Sequence, residues 1–319
     1  MIRPALAVLS PPGVRGRLSI LIFHRVVQQR DPLLPDLPDA RWFDSCMRWV
    51  SAWCNVLPLN EAVQSLAAGT LPARSLSITF DDGYADNVTV AAPILRRYGL
   101  HATFFVATGF LEGGAMWNDR VIEAIRRSPS PVIDLSKIGL GRVGIANDAE
   151  RREAIGRVIV AIKHRCPADR EAAVREIEDA CSSRFDGELM MRPGQVLELA
   201  GLGMGIGAHT VTHPILARLP FKQARWEIAE GKSTLESIIG RRVELFAYPN
   251  GRPGSDFAPE HVELVRTCGF KAAVTTAWGS AGKGDDVYQL PRFTPWNRSR
   301  LGFGLRLLGN TRRAAASTV

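Results

Sequence analysis

Apolar residues along this chain fall into two rhythms. Short dense runs, rich in β-branched and aromatic residues, alternate with longer stretches whose apolar positions recur every three or four residues. The dense runs read as buried strands and the spaced stretches as amphipathic helices. Strands are expected at 18–24, 76–80, 102–107, 203–208, 243–248, 270–275 and 287–294. Helices are expected at 41–53, with Phe43, Met47 and Val50 on one side, at 60–68, and at 91–98, which Gly99 ends. Two more follow at 221–239, carrying Trp226, Ile228, Leu235, Ile238 and Ile239, and at 259–267 before Gly269. This βαβα alternation implies an α/β fold built on a parallel sheet or barrel.

The rhythm breaks between about 111 and 192. Beyond Val132-Ile133-Asp134-Leu135 no strand stands out, and 119–127, 149–165 and 168–184 have helical spacing. We read this stretch as a helical insertion within a single domain spanning 1–319. It opens with Gly113 and Trp117. A Trp beside a cleft can stack on a sugar ring, and one in this position can equally anchor the insertion's core. The Pro-rich loop 31–38 lies close after the first strand, and its length places it at the border of a cleft.

The chemistry sits at strand ends. Leu76, Ile78 and Phe80 lead into Asp81-Asp82-Gly83-Tyr84. Two adjacent carboxylates repel unless a cation or a shared proton separates them. A glycine directly after them permits the sharp turn that brings both into one cleft. A second strand leads into His209-Thr210-Val211-Thr212-His213. Histidines four apart meet one ion if the segment forms a helical turn. An Asp with two His leaves coordination positions open, which suits catalysis better than a closed structural site. Either motif alone is weak, since acidic turns and paired surface histidines are common; each following an apolar strand makes the pair strong.

Thr79-Phe80-Asp81-Asp82-Gly83 and His209-Thr210-x-x-His213 resemble the first two motifs of the polysaccharide deacetylases, the NodB-homology carbohydrate esterases. The resemblance runs from about residue 20 to 296. Leu245-Phe246-Ala247-Tyr248-Pro249-Asn250-Gly251 is similar to the third motif of the subgroup acting on poly-N-acetylglucosamine and related exopolysaccharides. The resemblance implies a distorted, incomplete (β/α) barrel. It makes Asp81 the general base and Asp82, His209 and His213 the ligands of one divalent ion. It also gives Tyr84 a backbone N–H for the oxyanion and places Tyr248 and Pro249 at the substrate. Zn²⁺ is the first choice of metal, but Asp and His ligands serve Co²⁺ and Ni²⁺ as well.

Two departures qualify this reading. The family's last motif usually carries a histidine as general acid, and Gln289-Leu290-Pro291-Arg292-Phe293-Thr294-Pro295-Trp296 has none. Among the six histidines, His24 in Phe23-His24-Arg25-Val26 ends an apolar strand and resembles the Tyr-His-x-Val opening of the exopolysaccharide subgroup. It is the candidate acid, against the alternative of a satisfied strand-end histidine. The third motif usually also supplies an arginine that orients the base. None stands just before Tyr248, so Arg292 is the candidate substitute, with a surface cation as the competing reading. His101, His164 and His261 lack such context.

Composition changes the picture only at the margins. Hydrophobic content of 46% and charged content of 23% fit a soluble globular protein. The formal charge is +8, and after Asp286 the chain has no acidic residue but six arginines. This basic tail, about 297–319, also carries Leu301, Leu305, Leu307 and Leu308. It fits peripheral association with an anionic membrane surface, or a docked helix with solvated arginines. No nucleic-acid motif is present, so nucleic acid is not an expected partner. Five scattered cysteines argue against a disulfide framework, and the opening apolar run is broken by prolines and too short for a secretion signal. A cytoplasmic location, with the inner face of the membrane as a variant of it, is the expectation, in tension with the export of many deacetylases. The expected activity is metal-dependent removal of N-acetyl groups from an N-acetylated glycan: a polysaccharide, an oligosaccharide or a lipid-linked precursor. The alternatives are hydrolysis of a C–N bond in a small molecule, and carbohydrate binding without catalysis.

Overall fold

A computed structural model describes every residue except Gly113 and 315–317, so those parts of the expected insertion and tail lie outside the described residues. The strands are β1 (Ser19–Phe23), β2 (Asn55–Val56), β3 (Ser75–Phe80), β4 (Thr103–Val106), β5 (Val132–Asp134), β6 (Arg142–Gly144), β7 (Gly205–Ala208), β8 (Leu245–Ala247) and β9 (Ala272–Val274). The main sheet runs β1-β3-β4-β7-β8-β9, with β2 alongside the start of β3, and every pairing in it is parallel. Crossover helices cover such a sheet, and its strands are accordingly apolar throughout. All residues of β1 and β3 are buried.

Aromatic side chains pin the register where it matters. Phe23 pairs with Phe80 and Phe80 with Phe104, and their rings stack at 5.3 and 4.9 Å. These are late positions on their strands, so His24 emerges level with Asp81. A slip by one residue would turn each ring to the other face of the sheet.

The expected strand at 287–294 is reduced to two isolated bridges, Leu290 to Val274 and Phe293 to Leu21. Pro291 has no N–H to give a ladder, and the Arg292 N–H turns away to the Ala277 carbonyl (2.9 Å). The broken segment still ties β9 to β1, which leaves an incomplete barrel. The glycine-rich stretch before His209 is also shorter as a strand than expected. The helix Pro193–Gly201 occupies its beginning, and Gly203, at φ +79°, turns the chain into β7.

Contacts divide the chain into two compact units. One comprises 1–29, 38–111 and 191–319 and holds the main sheet; the other comprises 30–37 and 112–190. The second unit has its own core, built from residues such as Val121, Ile125, Val158, Ile162, Val174 and Ile177. Its helices are Trp117–Arg127, Asp148–Ile162 and Pro167–Ala180. β5 finds a partner the pattern did not reveal, the antiparallel β6. The Pro-rich loop belongs to this unit, where Asp31 pairs with Arg126 and the Pro32 carbonyl accepts from Arg152.

Within the basic tail, Arg300–Arg312 is a helix docked in the first unit. Phe303 lies 6.0 Å from Trp49 and 6.1 Å from Trp53. A further helix, Ile2–Leu9, packs against it.

Candidate metal centre and active site

β3 delivers the carboxylates. Asp81 continues the strand, its N–H donating to the Phe23 carbonyl at 2.9 Å. Asp82 then adopts φ +76° and Gly83 φ +91°. The turn is therefore taken partly by the aspartate itself, at a cost of roughly 1–3 kcal/mol that surrounding structure must hold. It is held on both sides: the Asp82 carbonyl accepts from Ala107 and the Gly83 carbonyl from Met191. A Cβ at Gly83 would stand 2.9 Å from Val106 Cγ1, so no larger residue fits.

β7 delivers the histidines, though not on a helical turn. Residues 209–213 form an irregular loop in which Thr210 and His213 take φ +65° and +54°. Thr210 Oγ1 donates to the His209 carbonyl (2.5 Å) and accepts from the His213 N–H (3.1 Å), which folds the second ring back toward the first. His209 is 1% exposed, and its Nδ1–H donates to the Ala247 carbonyl at the end of β8 (2.7 Å). That bond leaves Nε2 facing Asp82, the orientation in which a histidine can ligate; burial opposes a charge on the ring, but Asp81 and Asp82 raise its pKa, so a bound cation would displace a proton there.

The three side chains converge. Asp82 Oδ1 lies 3.4 Å from His209 Nε2 and 3.3 Å from His213 Nε2. One ligand atom from each lies within 4.8 Å of the others. Asp82 Oδ1 and His209 Nε2 are buried without a hydrogen-bond partner among the described residues. Buried polar atoms are rarely left so. A carboxylate and two imidazole nitrogens facing one point are a donor set that a divalent cation satisfies. Burial pushes His213 down to about 4, so its ring is neutral and able to ligate at neutral pH.

Asp81 stays out of this cluster and is held differently. Arg292, fully buried, grips it with two parallel bonds of 2.7 Å, Nη1 to Oδ1 and Nη2 to Oδ2. The guanidinium is itself fixed by the Thr275 carbonyl (2.8 Å) and Thr79 Oγ1 (3.2 Å). Burial would raise the Asp81 pKa, but the Arg292 charge, with His209, outweighs it and holds the carboxyl below the usual range. Asp81 is thus an ionised acceptor at neutral pH, 3.9 Å from His209 Nε2.

His24 is exposed at the end of β1, close enough that a proton on its ring would act on Asp81, Asp82 and His213. The loop that carries the carboxylates also fixes it. Asn87 Nδ2 donates to the His24 carbonyl (2.9 Å), and Asp86 bonds Arg25 Nε (2.7 Å) and the Val26 N–H (3.2 Å). Arg25 in turn covers the Tyr84 ring at 4.8 Å.

The remaining expected site residues are placed less directly. The rings of Tyr84 and Tyr248 are buried, 3% and 1% exposed. Tyr248 stacks on Phe257 at 3.9 Å, so it and Pro249 shape the strand end through their backbone rather than by presenting a ring. Trp117 lies in the second unit, packed on that unit's core beneath the Arg170 guanidinium at 5.1 Å.

A family model for polysaccharide deacetylase matches residues 68–136 and 158–273, more than half of the chain. The chain belongs to the polysaccharide deacetylase family. Members of this family are metal-dependent hydrolases that remove acetyl groups from N-acetylated sugars. The chain is 23% identical over 280 residues to the protein YxkH of Bacillus subtilis strain 168, covering 87% of this chain and 71% of that one. Its fold is similar to that of IcaB from Ammonifex degensii, with TM-score 0.60 and 18% identity over 95% of this chain and 98% of that chain. It is also similar to the Streptococcus pyogenes deacetylase PplD in complex with acetate, with TM-score 0.59 and 19% identity over 87% and 92% of the two chains.

One residue of this deacetylase's site is absent from the motifs. Glu227, 2% exposed on the helix Phe221–Ile239, accepts from the N–H groups of Val211 and Thr212 (both 2.8 Å) and from Thr212 Oγ1 (2.5 Å). It holds the loop between the two histidines. Gly231 lets the same helix approach, since a Cβ there would lie 2.9 Å from the Thr210 carbonyl. The signal was in the sequence: Ala224, Glu227, Ile228, Gly231 and Leu235 form one buried helical stripe, and a carboxylate within an apolar stripe needs a partner.

Proposed function

We propose that the protein is a metal-dependent N-deacetylase of an N-acetylated cell-surface or extracellular glycan, or of its lipid-linked precursor. The observation that carries this reading is the set of orphaned ligand atoms on Asp82 and His209, with His213, beside an Arg292-clamped Asp81. Asp82, His209 and His213 would hold the ion, Zn²⁺ before Co²⁺ or Ni²⁺. When bound, a divalent ion polarises the acetyl carbonyl and makes water nucleophilic near neutral pH.

The chain's own groups supply the rest. Asp81, kept ionised by Arg292, takes the proton of the attacking water at its carboxylate, a contribution of roughly 10²–10⁴-fold. Both of its oxygens are bonded to one rigid fork, so the free lone pairs point in a fixed direction. The Tyr84 backbone N–H, on the turn after the carboxylates, is the donor toward the developing oxyanion. His24 hands a proton to the departing amine. It suits this role because it is exposed, sits level with Asp81, and is held by its own backbone rather than by its ring.

The test is metal content together with acetate release from N-acetylglucosamine oligomers, with Asp81→Asn, His213→Ala and His24→Ala in parallel. Release that needs metal and fails in all three variants is expected. Metal-free protein with undiminished release would overturn the reading. Unchanged release in His24→Ala would remove only the acid assignment.

A further inference from the structure

Neither end of the sequence carries an acidic residue: five arginines precede Asp31, the first Asp or Glu, and six follow Asp286, the last. Folding brings these two segments together. The helix Ile2–Leu9 packs on the helix Arg300–Arg312, and the approach is close enough that a Cβ at Gly304 would lie 2.7 Å from Ile2 Cδ1. The inward side of the second helix is committed: Phe303 and Leu307 are buried, and Asn310 Nδ2 bonds Ser19 Oγ at the start of β1.

The outward side is not committed. Leu301 and Leu305, one turn apart, are 62% and 57% exposed, and Val8 on the neighbouring helix is 79% exposed. Arg300, Arg312 and Arg313 flank the leucines and Arg3 lies on the companion helix, all exposed. Among the described residues, Arg3, Arg312 and Arg313 have no carboxylate partner. The two packed helices therefore carry exposed aliphatic side chains together with arginines and no acidic residue.

We infer that this paired-helix face docks on an anionic lipid surface. Leu301, Leu305 and Val8 enter the headgroup layer while the arginines meet lipid phosphates. Charge complementarity selects an anionic occupant. The leucines select a lipid over a hydrated polyanion, which offers them nothing apolar. A second copy of this face is disfavoured because a two-fold contact would set arginines against arginines. The inference is independent of the deacetylase reading. It would hold the enzyme beside glycan chemistry that takes place on a membrane.

The experiment is co-sedimentation of the full chain with vesicles of phosphatidylcholine alone and of equal parts phosphatidylcholine and phosphatidylglycerol. Binding is expected to the mixed vesicles only and should weaken with salt. Leu301→Ser/Leu305→Ser and Arg300→Glu/Arg312→Glu should each weaken it by about tenfold or more. Far-UV circular dichroism should be unchanged, as these side chains are exposed. No sedimentation with mixed vesicles, or sedimentation that both double variants leave intact, overturns the proposal. Equal binding to heparin in the leucine variant, with no vesicle binding by the parent, would assign the face to a polyanion. A dimer on gel filtration that the leucine variant dissociates would assign it to a second copy.

Discussion

Two arginine–aspartate pairs in this molecule share one geometry and differ in everything around it. In the first unit, Arg292 binds both oxygens of Asp81 at 2.7 Å, and the guanidinium is fully buried. In the second unit, Arg126 binds both oxygens of Asp31 at 3.1 and 2.6 Å, with the side chains 28% and 19% exposed. Both aspartates have lowered pKa values, with burial opposing the shift and the arginine outweighing it. The difference lies in the alternative to pairing. Asp31 without Arg126 is solvated by water, whereas Asp81 without Arg292 is a buried anion with no guanidinium beside it. A fork-on-fork pair is thus a local staple at a surface, and in a barrel it is a means of keeping a carboxylate ionised where bulk water does not solvate it.

The largest test of this contrast is Arg292→Ala. Breaking a buried pair by removing one partner should cost roughly 3–5 kcal/mol, read as a lowered urea midpoint. The pH dependence has a definite sign. Asp81 is ionised more readily in the folded protein than in the unfolded chain. Its stabilisation is therefore complete above about pH 4, the ordinary carboxylate value, and is lost as the pH falls through the folded-state value. Without Arg292, burial is opposed only by the neighbouring His209 and His24, and the folded-state pKa rises. That penalty is full at neutral pH and fades on acidification. The stability gap between parent and variant should narrow as pH falls from 7 toward about 4. A constant gap would mean that Arg292 acts through packing and not through the Asp81 charge.

Asp81→Asn separates stability from chemistry at the same place. It removes the negative charge and leaves Arg292 buried against a neutral amide. Metal content should be unchanged, because Asp81 lies outside the ligand set. Acetate release should fall by roughly 10²–10⁴-fold, the contribution of a positioned base. Metal loss in this variant would place Asp81 among the ligands instead.

Glu227 provides a third comparison, with the signs reversed. Here a buried anion holds backbone N–H groups rather than a cation. Glu227→Gln keeps the size but offers only one acceptor oxygen where two are used. The loop between His209 and His213 should loosen, and metal affinity should fall by about 10–100-fold, the usual effect of losing a partner outside the ligands. Competition with a chromogenic chelator measures this without any assay of activity. Undiminished affinity would show that Thr210 alone fixes the histidines.

These residues also mark how far the sequence could be read. Asp81, Asp82, His209 and His213 were legible because each pair follows a dense apolar run, and strand tips in parallel sheets are where side chains meet. Arg292 was reached by elimination, although the strand expected to carry it is broken by Pro291. The route by which the histidines converge was not legible. It needs positive φ at Thr210 and His213, a conformation that sequence pattern seldom announces for residues with a Cβ. Glu227 was missed because a helix from 221 to 239 has several carboxylates, and only its place in the apolar stripe sets it apart. The second unit was read as helical, and β6 escaped because Arg142-Val143-Gly144 has one apolar residue between two exposed ones. A strand that buries a single side chain leaves almost no periodic trace.

The smallest predicted effect completes the contrast. Asp31→Asn removes the charge from a partly exposed pair, and exposed pairs contribute roughly 0.2–1 kcal/mol. Its Oδ1 also accepts from the Leu33 N–H at 2.9 Å, a bond that the asparagine oxygen can keep. The loss should therefore sit at the low end of that range, and it should shrink further as salt is added, since Debye screening reaches partly exposed charges. The carboxyl's folded-state pKa is lowered, so the contribution is present above about pH 4 and disappears below it. Chemical denaturation of parent and variant at low and high salt measures all three features. If Asp31→Asn costs as much as Arg292→Ala, burial is not what distinguishes the two pairs, and the explanation of the Asp81 clamp as compensation for lost solvation by bulk water fails with it.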